Sequence, residues 1–283
     1  MPDLQIRSVE LNSEGLVNDV WIVNRELVFR FAKDDGGRAA LASEAKVLRF
    51  LEGRVSLPLP RPIHVGEDVL VYALIEGTPL TRDGFRGASV DGGQRMAEQL
   101  GRFLGELHGI SNPQELPESL APVSSEAWTQ IHEQVKARVF PLLLPHQRDW
   151  ANRLLEEPLV DARFFAYEPT LIHGDLAPYH ILFSQDAARI QGVIDFGVAG
   201  RGDPANDLAM LLQTYGEALV DRVLHFYPEG RGLLRRARFY AQAIEIEWAL
   251  NGVKTGEPLW FLAHLGGARD IWDDDASTAS RSR

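Results

Sequence analysis

Cysteine is absent from all 283 residues. A disulfide scaffold, a thiolate zinc site and a cysteine nucleophile are therefore excluded, and a chain without thiols fits a reducing compartment, the cytoplasm being the expected location. The opening MPDLQIRSVEL lacks both a basic start and an apolar core region, so no secretory signal is expected. There is no run of about 18 apolar residues, so no helix is expected to cross a membrane. Basic residues are in deficit, 29 against 40 acidic ones, for a net charge of -11. Such a balance argues against binding a nucleic-acid backbone and favours neutral or cationic small molecules. No internal repeat occurs, and the one biased stretch, the polar tail DDDASTASRSR, is expected to fray.

What is present suggests a β-rich beginning and an α-rich remainder. Val17 to Val23 and Glu26 to Phe31 read as strands joined by a hairpin at Asn24-Arg25, and Val69 to Ile75 as a further strand. Between them, Leu41, Ala45, Leu48 and Leu51 recur at helical spacing across 38–51, with Gly53 as a stop. The proline-rich SLPLPRPIHVG reads as an extended connector. From Gly92 onward helical stripes dominate: Met96, Leu100, Phe103, Leu104 and Leu107, then Trp128, Ile131, Val135 and Val139. Further helices are expected at 205–214, 219–225, 233–251 and 259–265. Periodicity breaks at Gly77 and Pro79, which divides the chain into 1–76 and 77–283, and a cleft between the two is the default site.

The chemistry concentrates between Thr170 and Leu208, in TLIHGDLAPYHILFSQDAARIQGVIDFGVAGRGDPANDL. A short strand at 181–183, a turn-like SQDAA and a returning strand at 190–194 bring Asp195 back to the level of His180. Asp175, His180 and Asp195 can then face one small volume beside Gly197. Two carboxylates and an imidazole so placed suit a metal-bound phosphate and a base for an incoming hydroxyl.

HGDLAPYH, with IDFG placing its aspartate twenty positions beyond Asp175, resembles the catalytic loop and metal-binding aspartate of the aminoglycoside phosphotransferases, antibiotic kinases of the protein-kinase-like superfamily. VFRFAK, SEAKVLRFL, LPLPRPI, LIEGTPLT and RFLGELH follow the order found in the 2''-phosphotransferase branch, so the resemblance spans roughly residues 10 to 215. It implies an α+β, bilobal protein-kinase-like fold with a small β-rich N-lobe and a larger, mainly helical C-lobe. It also implies ATP or GTP as donor, Mg2+, and transfer of the γ-phosphoryl group to a small-molecule hydroxyl.

By the same resemblance, Asp175 is the catalytic aspartate, with Asp195 and His180 at the metal; the family usually has asparagine where His180 stands, and imidazole suits softer ions better than magnesium. Arg30 occupies the place of a phosphate-touching lysine, with Lys33 as fallback, and Glu44 is the partner of that cation. Ser13 and Gly15 lie where a phosphate-covering loop would run. Tyr72 to Glu76, including Ala73 and Ile75, would read the base through backbone groups, leaving ATP and GTP indistinguishable. His173 and Asp207 would support the loop, and Asp203 would lie near the cleft. Glu245, Glu247 and Trp248 are candidates for a cationic acceptor, although Glu245 and Glu247 point about 200° apart on a helix. The bland alternatives are turn or capping roles for the aspartates, a solvated face for the glutamates, and structural or exposed roles for His108, His132 and His225.

The reading is a kinase of a small molecule, an aminoglycoside first and a macrolide or an amino alcohol as alternatives. Two rivals differ in class. A nucleotide-binding module without turnover is suggested by Arg30, His180 and the thin glycine loop; a metallohydrolase would use His173, Asp175, His180 and Asp195 as ligands.

Overall fold

A computed structural model describes residues 4–12, 18–111, 113–161 and 163–256. Ser13 and Gly15, the helix expected at 259–265 and the acidic run at 273–275 lie outside the described residues. The architecture is α+β, with an antiparallel sheet in the N-terminal region and helices beyond it. Two compact units are present: Met1–Ala121 with Glu168–Leu234, and Pro122–Tyr167 with Arg235–Arg283.

The first unit opens with β1 (Val9–Asn12), β2 (Asn18–Val23) and β3 (Leu27–Ala32). Asn24 and Arg25 between β2 and β3 have φ of 57° and 56°. Successive positive φ values give the tight turn that matches strand twist, and the expected hairpin forms there. The Asn24 side chain also accepts from the Arg7 and Ser8 amides and donates to the Gln5 carbonyl, tying the approach to β1.

Helix α1 (Asp35–Leu51) starts three residues before the expected Arg38, because the Asp34 carboxylate caps the Gly37 amide. Its stripe Leu41, Ala45, Leu48 and Leu51 is buried as expected, and Leu41 and Ala45 pack on Val28, Leu70 and Tyr72 of the sheet. The expected proline-rich connector is only partly one. Pro62–Val65 forms β4, paired with β5 (Val69–Ala73) through a register shift between Pro62 and His64. Proline is tolerated there because the sheet order β1-β2-β3-β5-β4 makes β4 an edge.

The chain continues through β6 (Thr78–Pro79), α2 (Arg82–Arg86) and α3 (Val90–His108), the last two capped by Thr81 and Ser89. All five expected apolar residues of α3 are buried. After the second unit's first segment come β7 (Thr170–Ile172), β8 (Ile181–Ser184), β9 (Arg189–Val193), β10 (Gly200–Gly202), α6 (Ala205–Tyr215) and α7 (Glu217–Phe226). β7 pairs with β10, and β6 with the β8–β9 hairpin. Gly101 of α3 meets α7 so closely that a Cβ there would lie 2.5 Å from the Val223 carbonyl oxygen. Gly192 likewise admits Pro58, whose carbonyl accepts from the Val193 amide at 3.0 Å, bringing the connector onto the hairpin that precedes Asp195.

The second unit contains α4 (Ser125–Arg138), α5 (Pro145–Val160) and all but the first residue of α8 (Leu234–Thr255). Its core is aromatic, with Trp128 and Phe239 ring centroids 5.0 Å apart and Phe164 5.4 Å from Phe239. Helix α5 is not evident from periodicity. Pro145 lies in the first turn, where a missing N–H costs nothing, and Pro158 lies inside the helix.

Candidate active site

Asp207 begins the organisation of the site from below. It lies in the first turn of α6, wholly buried, and its two carboxylate oxygens accept from the His173 and Gly174 amides, both at 2.9 Å. Burial opposes its charge, but the hydrogen bonds from His108 and from the His173 amide hold its carboxyl below the usual range. Glycine is required at 174: its φ is +83°, and a Cβ there would lie 2.9 Å from the Ser119 hydroxyl oxygen.

His173 spans the two motifs. Its Nε2 donates to the Ile194 carbonyl at 3.0 Å, which leaves Nδ1 to accept from the Asp175 amide at 3.2 Å. The ring thus ties the loop carrying Asp175 to the strand leading into Asp195. Burial holds its pKa below the ordinary histidine value. Because the native ring stays neutral where the unfolded one charges, stability is fully present above about pH 6.5 and falls as pH drops below it, down to the native pKa. The expected slope is up to about 1.4 kcal/mol per pH unit for one proton. Denaturant titrations between about pH 7.5 and 5.5 check this: His173→Asn keeps an acceptor for the Asp175 amide but cannot titrate, and an unchanged slope in that variant excludes His173 as the source.

His180 closes the turn Pro178–His180. Its Nδ1 donates to the Asp175 carbonyl at 2.8 Å, so Nε2 faces outward, 3.5 Å from Asp195 Oδ2. The Ile194 amide donates to the His180 carbonyl at 2.9 Å, which levels the two residues as the hairpin count expects. Two acceptors set this close call for a cation or a proton between them, and a carboxylate oxygen with an imidazole nitrogen is a donor set that fits a divalent ion. Asp195 has φ of 65°, a conformation aspartate tolerates, and its Oδ1 accepts from Arg30 Nη2 at 3.1 Å. Burial works against its charge, yet the charge and hydrogen bond of Arg30 hold its carboxyl below the usual range. Asp175 goes the other way: burial pushes its carboxyl up.

Arg30 and Glu44 form the upper wall. Arg30 Nη1 donates to both Glu44 oxygens, at 2.6 and 2.7 Å, and the Phe196 amide donates to Glu44 Oε1 at 3.2 Å. Burial pushes the Glu44 carboxyl up to about 7 against the pull of Arg30. Burial alone would also lower Arg30, but the Glu44 and Asp195 charges more than reverse it and keep the guanidinium protonated. The fork of short N–H bonds is that of a carboxylate, so the ionised pair is the state that fits. Lys33, the fallback cation, lies beyond the end of β3 with Nζ 3.5 Å from Asp19 Oδ1.

Asp175, His180, Asp195, Arg30, Glu44, His173 and Asp207 are therefore brought together in the first unit. Ala73 ends β5 opposite Leu27, and Ile75 lies against Gly192. Asp203, expected near the cleft, is fully buried, its carboxylate accepting from the Ala205 amide at 3.0 Å where α6 begins. Glu245, Glu247 and Trp248 are half-buried on α8 in the second unit. Sequence reading passed over Tyr72 as a side chain, although its phenol is buried beside Arg30, and over Tyr227 and the role of His108. Their only local signal is a polar group closing an apolar stripe, as in RFLGELH.

The description "APH: Phosphotransferase enzyme family" matches residues 8–240. Viomycin phosphotransferase of Streptomyces vinaceus is 29% identical over 221 residues, 75% of this chain and 75% of its own. Among solved structures, the GDP and kanamycin complex of APH(2")-IIIa superposes with a TM-score of 0.85 at 28% identity, over 94% of this chain and 93% of that one. Macrolide 2'-phosphotransferase MphH from Brachybacterium faecium shares the fold, with a TM-score of 0.72 at 22% identity over 96% of this chain and 95% of that one. With the match running through the HGDLAPYH and IDFG motifs and most of the chain, the protein belongs to the APH phosphotransferase enzyme family.

Proposed function

We propose that the protein transfers the γ-phosphoryl group of ATP or GTP to a hydroxyl of a small molecule, with an aminoglycoside as the leading acceptor. The observation that carries this reading is the convergence of the Asp175 loop, the His180–Asp195 pair and the Arg30–Glu44 pair on one site. Asp175 orients the acceptor hydroxyl and takes its proton as the oxygen attacks the γ-phosphorus; the bond to the β–γ bridging oxygen breaks, and the nucleoside diphosphate leaves. Asp195 and His180 would hold Mg2+, which supplies positive charge to the phosphate oxygens when bound. Arg30 adds a fixed positive charge beside them, oriented by Glu44. Ser13 and Gly15 would cover the phosphates, and the backbone at Ala73 and Ile75 would meet the base, so residues 1–76 act as the nucleotide-binding lobe and 77–283 as the catalytic and acceptor part. Catalysis on this account is mainly positioning and charge neutralisation.

A cationic acceptor is favoured by the net charge of -11 and by kanamycin in the complex of the similar structure. The viomycin phosphotransferase relative favours viomycin as a second acceptor. Glu245, Glu247 and Trp248 are proposed on the acceptor side, while Asp203 is better read as a support for α6. The test measures ATP and GTP consumption with Mg2+ against a panel of aminoglycosides, viomycin, macrolides and amino alcohols. Acceptor-dependent turnover that Asp175→Asn lacks supports the kinase. Nucleotide binding that no acceptor turns into turnover supports the bare binding module, and phosphate release without any acceptor supports the hydrolase.

A further inference from the structure

Behind the loop, a buried chain of polar groups reaches further than the proposed chemistry uses. His108 closes α3 at 5% exposure, and its Nε2 lies 3.0 Å from Asp207 Oδ2. Its Nδ1 lies 3.0 Å from the hydroxyl of Tyr227, itself 6% exposed just beyond α7. The direction of each proton follows from the partners. Burial, with the charge of Asp207 nearby, pushes the Tyr227 phenol well above its usual value, so it keeps its proton and donates to Nδ1. Nε2 then carries the ring proton and donates to Asp207 Oδ2, which also accepts from the His173 amide, while Oδ1 accepts from the Gly174 amide.

We infer that His108, oriented by Tyr227, is a positioning residue for phosphoryl transfer: it supplies the side-chain donor that keeps Asp207 ionised and clamped on the His173 and Gly174 amides, and so fixes where Asp175 points. A carboxylate with no exposed surface has no water to replace a lost donor. Without His108, Asp207 takes up a proton or turns from one amide, and the loop it holds loosens. Asp175 follows immediately after Gly174, whose left-handed φ is held by that grip. Misplacement of an aligned group by about 1 Å is enough to cost on the order of 10²-fold in rate.

The inference rests on the proposed kinase reading for its kinetic part, and the test separates the two. Two variants divide donor from packing: His108→Gln places an amide N–H near the position of Nε2 and can still serve Asp207, whereas His108→Asn reaches only to the position of Nδ1. His108→Asn is expected to lose about 10²-fold in kcat with nucleotide KM roughly unchanged, and His108→Gln to recover most of that loss. Hydrogen exchange of the His173 and Gly174 amides, read without any substrate, is expected to be faster in the Asn variant and near wild type in the Gln variant. Should His108→Asn not fold, Tyr227→Phe removes only the hydroxyl; it is expected to speed exchange of the same amides and lower kcat by roughly threefold to tenfold, a fraction of the loss that misplacement brings. Equal losses in the Asn and Gln variants, tracking their melting temperatures, reduce His108 to a packing role and overturn the inference. So does unchanged amide exchange in a folded His108→Asn or Tyr227→Phe protein. If the wild type turns over no acceptor while the exchange pattern holds, the kinase reading fails and the clamp stands.

Discussion

Asp175→Asn lowers kcat by about 10³-fold while leaving nucleotide KM and folding stability roughly unchanged. The amide matches the carboxylate in shape but cannot take the acceptor's proton. Nucleotide binding is proposed to depend on Arg30, Asp195, His180 and the backbone around Ala73 and Ile75, none of which this change removes. The Asp175 side chain is one-third exposed, at 33%, so the variant leaves no buried unsatisfied charge to unfold the loop. Steady-state kinetics with a responsive acceptor, alongside a thermal melt, checks both halves. A loss below about tenfold would mean that Asp175 aligns nothing essential; a rise in KM with kcat unchanged would place it in binding instead.

Glu44→Ala is expected to be strongly destabilising. Removing one partner of a buried ion pair costs about 3–5 kcal/mol, because the remaining charge is stranded. Here the stranded group is Arg30, whose side chain is 7% exposed, and the Phe196 amide loses its acceptor as well. For a chain of this size the melting temperature should fall on the order of 10 °C. The double variant Arg30→Met/Glu44→Leu removes both charges and is expected to regain most of the stability, while nucleotide affinity stays lost. A melting temperature within about 2 °C of wild type in Glu44→Ala would show that the pair contributes little to the fold and that solvent reaches Arg30 readily.

Much of the fold was legible. Stripes with helical spacing marked α1, α3 and α4, and the turn at Asn24-Arg25 marked the first hairpin, since both depend on periodicity and local turn chemistry. The hairpin count from His180 to Asp195 was legible for the same reason, being a matter of strand rise. Helix α5 was hidden because Pro145 looks alike in sequence whether it breaks a helix or sits in its first turn, and Pro158 lies inside the helix where a proline is not expected. β4 was hidden because a proline-rich run becomes a strand only when a partner edge is available. In the site, Glu44 was ambiguous, as a glutamate on an amphipathic helix can face either water or a buried cation, and only the sheet opposite decides.

What the sequence determined by itself is the set of candidate reacting groups and their local frame: Asp175, His180 and Asp195 on a loop and a hairpin, at spacings that make them meet. These are contacts between near neighbours in the chain, within 20 positions from Asp175 to Asp195. Tertiary structure decided what holds them there. The bond from Arg30 to Asp195 spans 165 positions, and that from His108 to Asp207 spans 99. Contacts so distant leave no periodic trace, and whether a charged residue is paired or solvated is set by what the fold packs against it.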